Sequence, residues 1–290
     1  MDNEFFLVWA DDGCPLYDLA VMSDKGTRVW RNPECNYSNN SHSVTKLFIA
    51  CAAGMLHDSG ALDENAPVLS FFTKSELPQN VGEGWENVTV AHALMHKTGL
   101  DDIPYGVDNP PDRKYIGNDY LRYVLSLPIQ QAPGEYYRYS DAAYYLLSRI
   151  ISKAAGVNAL DFLRERIFNP LEFAEYSVLT CPFGYPVGGG GLFAASEDTV
   201  KLGMLYASGG IYNGRRLLSD EWIELSKQND YALTRFRDTE VFLKTGAHAQ
   251  IVAFSSKRKT AVSWHGFSLD SAERNDRLLE AFVRYLDNNA

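Results

Sequence analysis

The sequence has no long apolar run. Nowhere in its 290 residues does a hydrophobic stretch approach the roughly 18 residues that a membrane-spanning helix needs, so no membrane span is expected. Positive charge is scarce: 27 Lys and Arg stand against 37 Asp and Glu, and the formal charge of −10 repels phosphate backbones. Nucleic acid is not an expected partner, because the one dense basic stretch, Lys257 to Lys259, falls at a turn between two strand-like runs. Cysteine is limited to Cys14, Cys35, Cys51 and Cys181, without CxxC spacing, and a chain this long does not need disulfide staples, so reduced thiols are expected. HExxH, the Walker loop and GxGxxG are missing, which removes the common metal and nucleotide signatures, and no cofactor is expected. G-x-S-x-G is also missing, which disfavours a Ser-His-Asp hydrolase of the nucleophile-elbow type. The N-terminal "MDNEFFLVWADDG" is acidic where a signal peptide is basic and has no apolar core followed by a cleavage site. A cytoplasmic location is expected; export would require a leader ahead of Met1.

What is present is the composition of a globular domain, 46% hydrophobic and 13% aromatic. "YDLAVM" and "TRVWR" around "SDKG" predict a hairpin of two strands. From Thr45, Leu47, Phe48, Cys51, Ala52 and Met55 recur at helical spacing until Gly60 closes the segment. Helix signals follow at 89–96, 118–126, 142–154, 158–167 and 196–207, separated by loops rich in Pro, Gly and Asp. The four glycines 188–191 read as a flexible turn. "VFLKTG", "AQIVAFSS" and "TAVSWHGF" predict three consecutive strands, and "SAERNDRLLEAFVRYLDNN" an amphipathic helix. Strands at both ends with helices between them predict an α/β (α+β) fold, an antiparallel sheet built from both termini with a mostly helical inserted lobe. The expected organisation is one domain over 1–290, with the sheet-bearing part at about 1–60 and 235–290 and the lobe at about 61–234.

Three short patterns carry candidate chemistry. Ser43 and Lys46 are three positions apart at a helix start, so both face the same way and the ammonium comes within reach of the hydroxyl. The Ser43 N–H is among the unpaired donors of a helix N-terminus and can face a developing oxyanion. The helix N-terminus, burial and a second cation would each lower the pKa of Lys46 and make it a base. On this motif alone, a capping serine beside a surface lysine is the commoner outcome. A second SxxK, Ser256 to Lys259, sits in the basic turn and reads as solvent-exposed. Next, Tyr139, Ser140 and Asp141 precede an apolar helix. A buried tyrosine near two lysines can relay protons, although most tyrosines in this stretch pack, and Asp141 can serve simply as the helix N-cap. Third, Lys244, Thr245 and Gly246 end a strand. Lys244 supplies positive charge for a substrate carboxylate, Gly246 lets an extended substrate come close, and the N–H of Ala247 is a second oxyanion donor. An earlier KTG, Lys97 to Gly99, reads as a helix end with Gly99 as its cap.

SxxK, Tyr-x-Asp and KTG in this order are far more specific together than apart, and the chain resembles the serine β-lactamase and penicillin-recognising hydrolase superfamily. Within it, the class C β-lactamases, D,D-peptidases and related esterases are the nearest branch. The resemblance runs from Asp18 to about Phe267. "VTVAHALMHKTGL" is similar to the family's "ITIRHLLTHTSGL" segment, and "GGGGLFAASEDTVKLGMLY" to its Gly-Gly-Leu segment. It implies Ser43 as acylated nucleophile, Lys46 and Tyr139 sharing acid and base work, an oxyanion hole from the N–H groups of Ser43 and Ala247, and Lys244 anchoring substrate.

Two departures bear on substrate. Asp141 stands where the family has Asn; an ionised carboxylate only accepts hydrogen bonds, so a β-lactam side-chain amide loses a donor. Asp141 can instead pair with Lys46 or Lys244, raising the lysine's pKa and slowing base catalysis. After KTG, "AHAQ" resembles the "G-x-H-G-Q" of esterase-like and amide-hydrolysing relatives, which makes His248 a candidate pocket residue, with a plain strand histidine equally compatible. Glu165 and Asn169 are expected to be structural. The expected activity is a serine hydrolase cleaving an ester or amide, or a small peptide. The alternatives are a β-lactamase or D-alanyl-D-alanine carboxypeptidase, and a ligand-binding or acylation sensor without turnover.

Overall fold

The computed structural model describes residues 16–101 and 113–288. Cys14 and the N-terminal "MDNEFFLVWADDG" lie outside the described residues. The expected hairpin is β1 (Leu16–Ser23) and β2 (Gly26–Arg31), followed by the short β3 (Asn39–Asn40). Further on come β4 (Tyr176–Val178), β5 (Leu192–Ala194), β6 (Ile211–Tyr212), β7 (Arg215–Arg216), β8 (Thr234–Arg235), β9 (Val241–Gly246), β10 (Gln250–Ser255) and β11 (Thr260–Gly266). The main sheet has the order β2-β1-β11-β10-β9-β8, with neighbouring strands antiparallel. Leu19 sits opposite Trp264 and Val21 opposite Val262, so the first strand is paired with the last.

β10 and β11 are buried along their whole length, because the sheet is covered on both faces. Alternation sorts their side chains: Ile251 and Ala253 join the cluster formed with Leu278, Leu279 and Phe282 of the C-terminal helix Ser271–Asn288, whereas Val252 and Phe254 join the larger core. That larger core surrounds the helix Thr45–Asp58, which is buried from Thr45 to Leu56. Each fully buried Leu or Phe there stabilises the fold by about 1.5–3 kcal/mol. The helices Asp141–Ala155 and Ser196–Ala207 also belong to this core, the latter lying against β1, β10 and β11.

The helix Asp220–Gln228 has no counterpart among the sequence expectations, although its start is locally encoded. Ser219 Oγ accepts the Trp222 N–H at 3.0 Å, and Asp220 and Glu221 occupy the first turn. The predicted 89–96 helix is shorter, Val90–Leu94, capped at Met95; His96 (φ 58°) is the first left-handed residue after it, and Gly99, expected as the cap, is left-handed as well (φ 82°) but lies further on. The predicted 158–167 helix runs as Ala159–Leu163 and then widens into a π-helical turn over Arg164–Phe168, on which Glu165 is exposed; Asn169, just beyond it, is exposed as well. No described helix is long and apolar enough to cross a membrane.

Candidate active site

Ser43 lies in a single 3-10 turn, His42–Val44, that feeds directly into the helix Thr45–Asp58. The entry is bent and pinned: His42 has φ 46°, its N–H donates to Asn40 Oδ1 at 2.9 Å, and Thr45 Oγ1 donates to His42 O at 2.6 Å. β3 pairs with β5 in a second, three-stranded sheet (order β3-β5-β4), and the Ser41 N–H donates to Leu192 O at 2.8 Å, so the segment ahead of Ser43 is held by that small sheet. Ser43 itself is partly exposed.

One turn later, Lys46 is fully buried. Its Nζ donates to Ser43 Oγ at 3.2 Å, to the Asp141 carboxylate and to the Gly189 carbonyl. The glycines 188–191 are therefore not a flexible turn. All four are buried, and a Cβ on Gly189 would lie 2.7 Å from Asp141 Cβ, so only glycine lets this backbone reach the lysine.

Asp141 is free to meet Lys46 because it is not the helix cap. Ser140 takes that position, its Oγ accepting the Ala143 N–H at 3.2 Å, and Asp141 is the first residue of the helix Asp141–Ala155. Burial works to lower the Lys46 pKa, but the Asp141 charge, with Tyr139, outweighs it, and the pKa is raised. The expectation of a lowered Lys46 pKa is thus overturned by the ion pair with Asp141.

Tyr139 is 40% exposed, not buried as expected. The Lys46 ammonium lies 4.6 Å from its ring centroid and Lys244 Nζ lies 5.2 Å away. The ring stacks on His96 with centroids 4.4 Å apart, and His96 Nδ1 accepts the Ser140 N–H at 3.0 Å. Burial, then the charges of Lys244 and Lys46, bring His96 down to about 2, so it is a neutral spacer behind the tyrosine at ordinary pH. Its sequence signal is the segment "VTVAHALMHKTGL", whose resemblance to the family's "ITIRHLLTHTSGL" gives His96 no role by itself.

β9 closes the other side. Lys244 is opposite Val252 of β10, and burial together with the Lys46 charge lowers it to about 7. A Cβ on Gly246 would lie 2.4 Å from Ser41 O, so glycine is what allows β9 to run against the segment bearing Ser43. Thr245 is exposed and lines a groove of about 410 Å³ shared with Arg235 and Asn275. Ala247 is exposed in the 3-10 turn Ala247–Ala249. His248 has φ 60°, stacks on Phe267 with centroids 4.9 Å apart, and meets the ring of His42 edge-on at 5.3 Å. Burial, then His248 and His265, lower the pKa of His42. Ser43, Lys46, Tyr139, Asp141, Lys244 and Gly246 therefore converge, with His248 joined to them through His42. The second SxxK does not: Lys259 is exposed, and Ser256 Oγ accepts from Lys227 Nζ at 3.0 Å.

A buried chain beneath the site escaped sequence reasoning. Asp18 Oδ1 is 2.8 Å from His265 Nδ1, and His265 Nε2 is 3.0 Å from Ser41 Oγ, with all three residues buried. Asp18 Oδ2 accepts the Ser196 N–H at 2.6 Å. With no exposed oxygen this chain is an anchor, tying the Ser41–Ser43 segment to the sheet and to the helix Ser196–Ala207.

The family model described as beta-lactamase matches residues 40–266. A beta-lactamase of Yersinia enterocolitica is 25% identical over 172 residues, 59% of this chain and 41% of that protein. A 6-aminohexanoate-dimer hydrolase of Paenarthrobacter ureafaciens is 21% identical over 196 residues, 63% of this chain and 48% of that protein. The matched stretch thus spans less than half the length of these two curated relatives. Among solved structures, a beta-lactamase/D-alanine carboxypeptidase from Yersinia pestis superposes with a TM-score of 0.77 at 17% identity, covering 97% of this chain and 95% of that one. With a match across most of the chain and the same fold, this protein belongs to the beta-lactamase family.

Proposed function

We propose that this chain is a serine hydrolase that cleaves an ester or amide bond, including that of a small peptide, through an acyl-enzyme on Ser43. The observation that carries the reading is the 3.2 Å hydrogen bond from the buried Lys46 Nζ to Ser43 Oγ at the mouth of a buried helix. Ser43 Oγ attacks the carbonyl carbon, Lys46 holds the oxygen, and Tyr139 stands beside them to relay the proton. The N–H groups of Ser43 and Ala247 form the oxyanion hole, supported by the tight packing of Gly246 against Ser41. Lys244, Thr245 and Gly246 present a strand edge to the substrate, with Asp141 and His248 bordering the acyl group. The chain works as one unit on this reading, because its candidate residues come from the sheet and from the helices alike. The free thiols of Cys35, Cys51 and Cys181 fit a reducing, cytoplasmic setting.

A β-lactam or D-alanyl-D-alanine substrate is the second reading, favoured by the activities named for the Yersinia relatives and by Lys244 as a carboxylate anchor. Asp141 weighs against it, since a carboxylate cannot donate to an acyl amide. The test is the burst of nitrophenol from a short-chain p-nitrophenyl ester in wild type and Ser43→Ala, beside hydrolysis of a chromogenic cephalosporin. A burst lost in Ser43→Ala and slow cephalosporin turnover are expected. Equal rates in the two proteins would refute the Ser43 reading. Fast cephalosporin turnover would move the substrate to the second reading, and a lasting adduct without turnover would indicate a sensor.

A further inference from the structure

A lysine takes up a proton only through a free lone pair, so its hydrogen-bond partners decide whether it can be a base. Lys46 Nζ donates to Ser43 Oγ, the Asp141 carboxylate and the Gly189 carbonyl and also hydrogen-bonds Tyr139, so the three N–H bonds of an ammonium are fully taken up. Its side chain is wholly buried, so no water replaces one of them. Lys244 is different: among the described residues its ammonium makes no ion pair or hydrogen bond, and it lies 5.2 Å from the centroid of the Tyr139 ring that Lys46 faces at 4.6 Å.

We propose that Asp141 fixes Lys46 as a permanent ammonium that holds and polarises Ser43, and that the proton taken from Ser43 is carried by Tyr139 and Lys244 instead. This rests on the Ser43 acyl-enzyme reading and assigns the acid and base work within it. In acylation the Ser43 oxygen bonds to the acyl carbon as its O–H breaks. That proton goes to the Tyr139 oxygen while the phenol's own proton passes to the neutral Lys244 amine, leaving Tyr139 unchanged and Lys244 an ammonium. When the tetrahedral intermediate collapses, the proton returns by the same path to the leaving amine or alkoxide. Deacylation repeats the cycle with water in place of the serine hydroxyl.

The groups around Lys244 agree with this division. Lys46 faces it from the helix Thr45–Asp58 and repels its charge; Tyr139 and Asp141 face it from the start of the helix Asp141–Ala155; His96 faces it from the turn after Val90–Leu94 and is neutral. Burial first and Lys46 second leave Lys244 titrating at about 7, where half the population holds a free lone pair. An asparagine at position 141 would leave Lys46 without a counter-charge, so this aspartate decides which lysine is the base.

The test is the pH dependence of the first-turnover burst in wild type, Lys244→Arg, and the double variant Asp141→Asn/Lys244→Arg. The wild-type rate rises through pH of about 7 to a plateau. Lys244→Arg keeps the charge but cannot exchange the proton, so the plateau falls by roughly 100-fold or more and the rise near neutrality vanishes. Adding Asp141→Asn frees Lys46 and recovers on the order of 10-fold of that loss, the lower end of what a positioned base supplies. A wild-type rate and profile in Lys244→Arg, or a double variant no faster than Lys244→Arg, overturns the proposal. NMR titration of lysine Cε and Nζ in the wild-type protein reads the same question without any variant: Lys244 changes near neutrality while Lys46 stays an ammonium, and the reverse assignment overturns it. Absence of any wild-type burst would strike at the Ser43 reading itself, whereas the NMR titration would still report on the lysines.

Discussion

Asp141→Asn is nearly isosteric and removes one charge, so its effect on stability reports directly on the buried ion pair. Taking one partner from a buried pair costs about 3–5 kcal/mol, because the other charge is left uncompensated. The Asp141 side chain is 30% exposed, which places the expected loss at the low end, about 3 kcal/mol at pH 7. The cost is bounded by deprotonating Lys46: at 1.36 kcal/mol per unit, neutralising a lysine of ordinary pKa 10.4 takes roughly 4–5 kcal/mol at pH 7 and about 2 kcal/mol at pH 9. In wild type the Lys46 pKa is raised, so its stabilisation is fully present below the unfolded value of about 10.4 and is lost only as pH climbs through the higher folded value. The pair therefore gives no slope to wild-type stability between pH 7 and 9. The variant, in which burial of Lys46 is no longer opposed by the Asp141 charge, is expected to gain stability relative to wild type over that window. Urea unfolding at pH 7, 8 and 9 measures both, provided the m-values agree. A variant as stable as wild type at pH 7, or a deficit that grows with pH, refutes the reasoning.

Two further perturbations probe the supports of the site. Gly246→Ala places a Cβ 2.4 Å from the Ser41 carbonyl, a backbone atom that cannot rotate away; unfolding should come about 1–3 kcal/mol easier and the ester burst should slow, and an unchanged burst would contradict the close packing of β9 on the Ser43 segment. His265→Ala strips the buried Asp18 and Ser41 of their shared partner and should cost about 3 kcal/mol or more in denaturant unfolding; a loss below about 1 kcal/mol would mean that the chain is not an anchor.

Much of this was legible in the sequence, for physical reasons that differ from element to element. The β1–β2 hairpin, the three strands β9 to β11 and the C-terminal helix announce themselves because alternation and 3.6-residue periodicity are local consequences of which face is buried. Ser43 and Lys46 are legible as a pair because three residues along a helix bring side chains together whatever the rest of the fold does. The order of SxxK, Tyr-x-Asp and KTG carried the family, which the match over residues 40–266 then established.

Tertiary packing decided the rest. Lys46 and Asp141 are 95 positions apart, and the sequence left open whether the aspartate would cap a helix or pair with Lys46 or Lys244; only the docking of two helices selected Lys46 and made it an ammonium. Gly189 became a buried acceptor for the same lysine because its backbone is pressed against Asp141, where the run of four glycines reads from sequence as a flexible turn. Asp18 and His265 are separated by 247 positions and join because β1 pairs with β11. Periodicity fixes which side chains face inward, since that depends on a few bonds. Which charges then meet, and so which groups keep their protons, depends on the whole fold, because burial and Coulomb energy are set by neighbours that the chain brings together only when it closes.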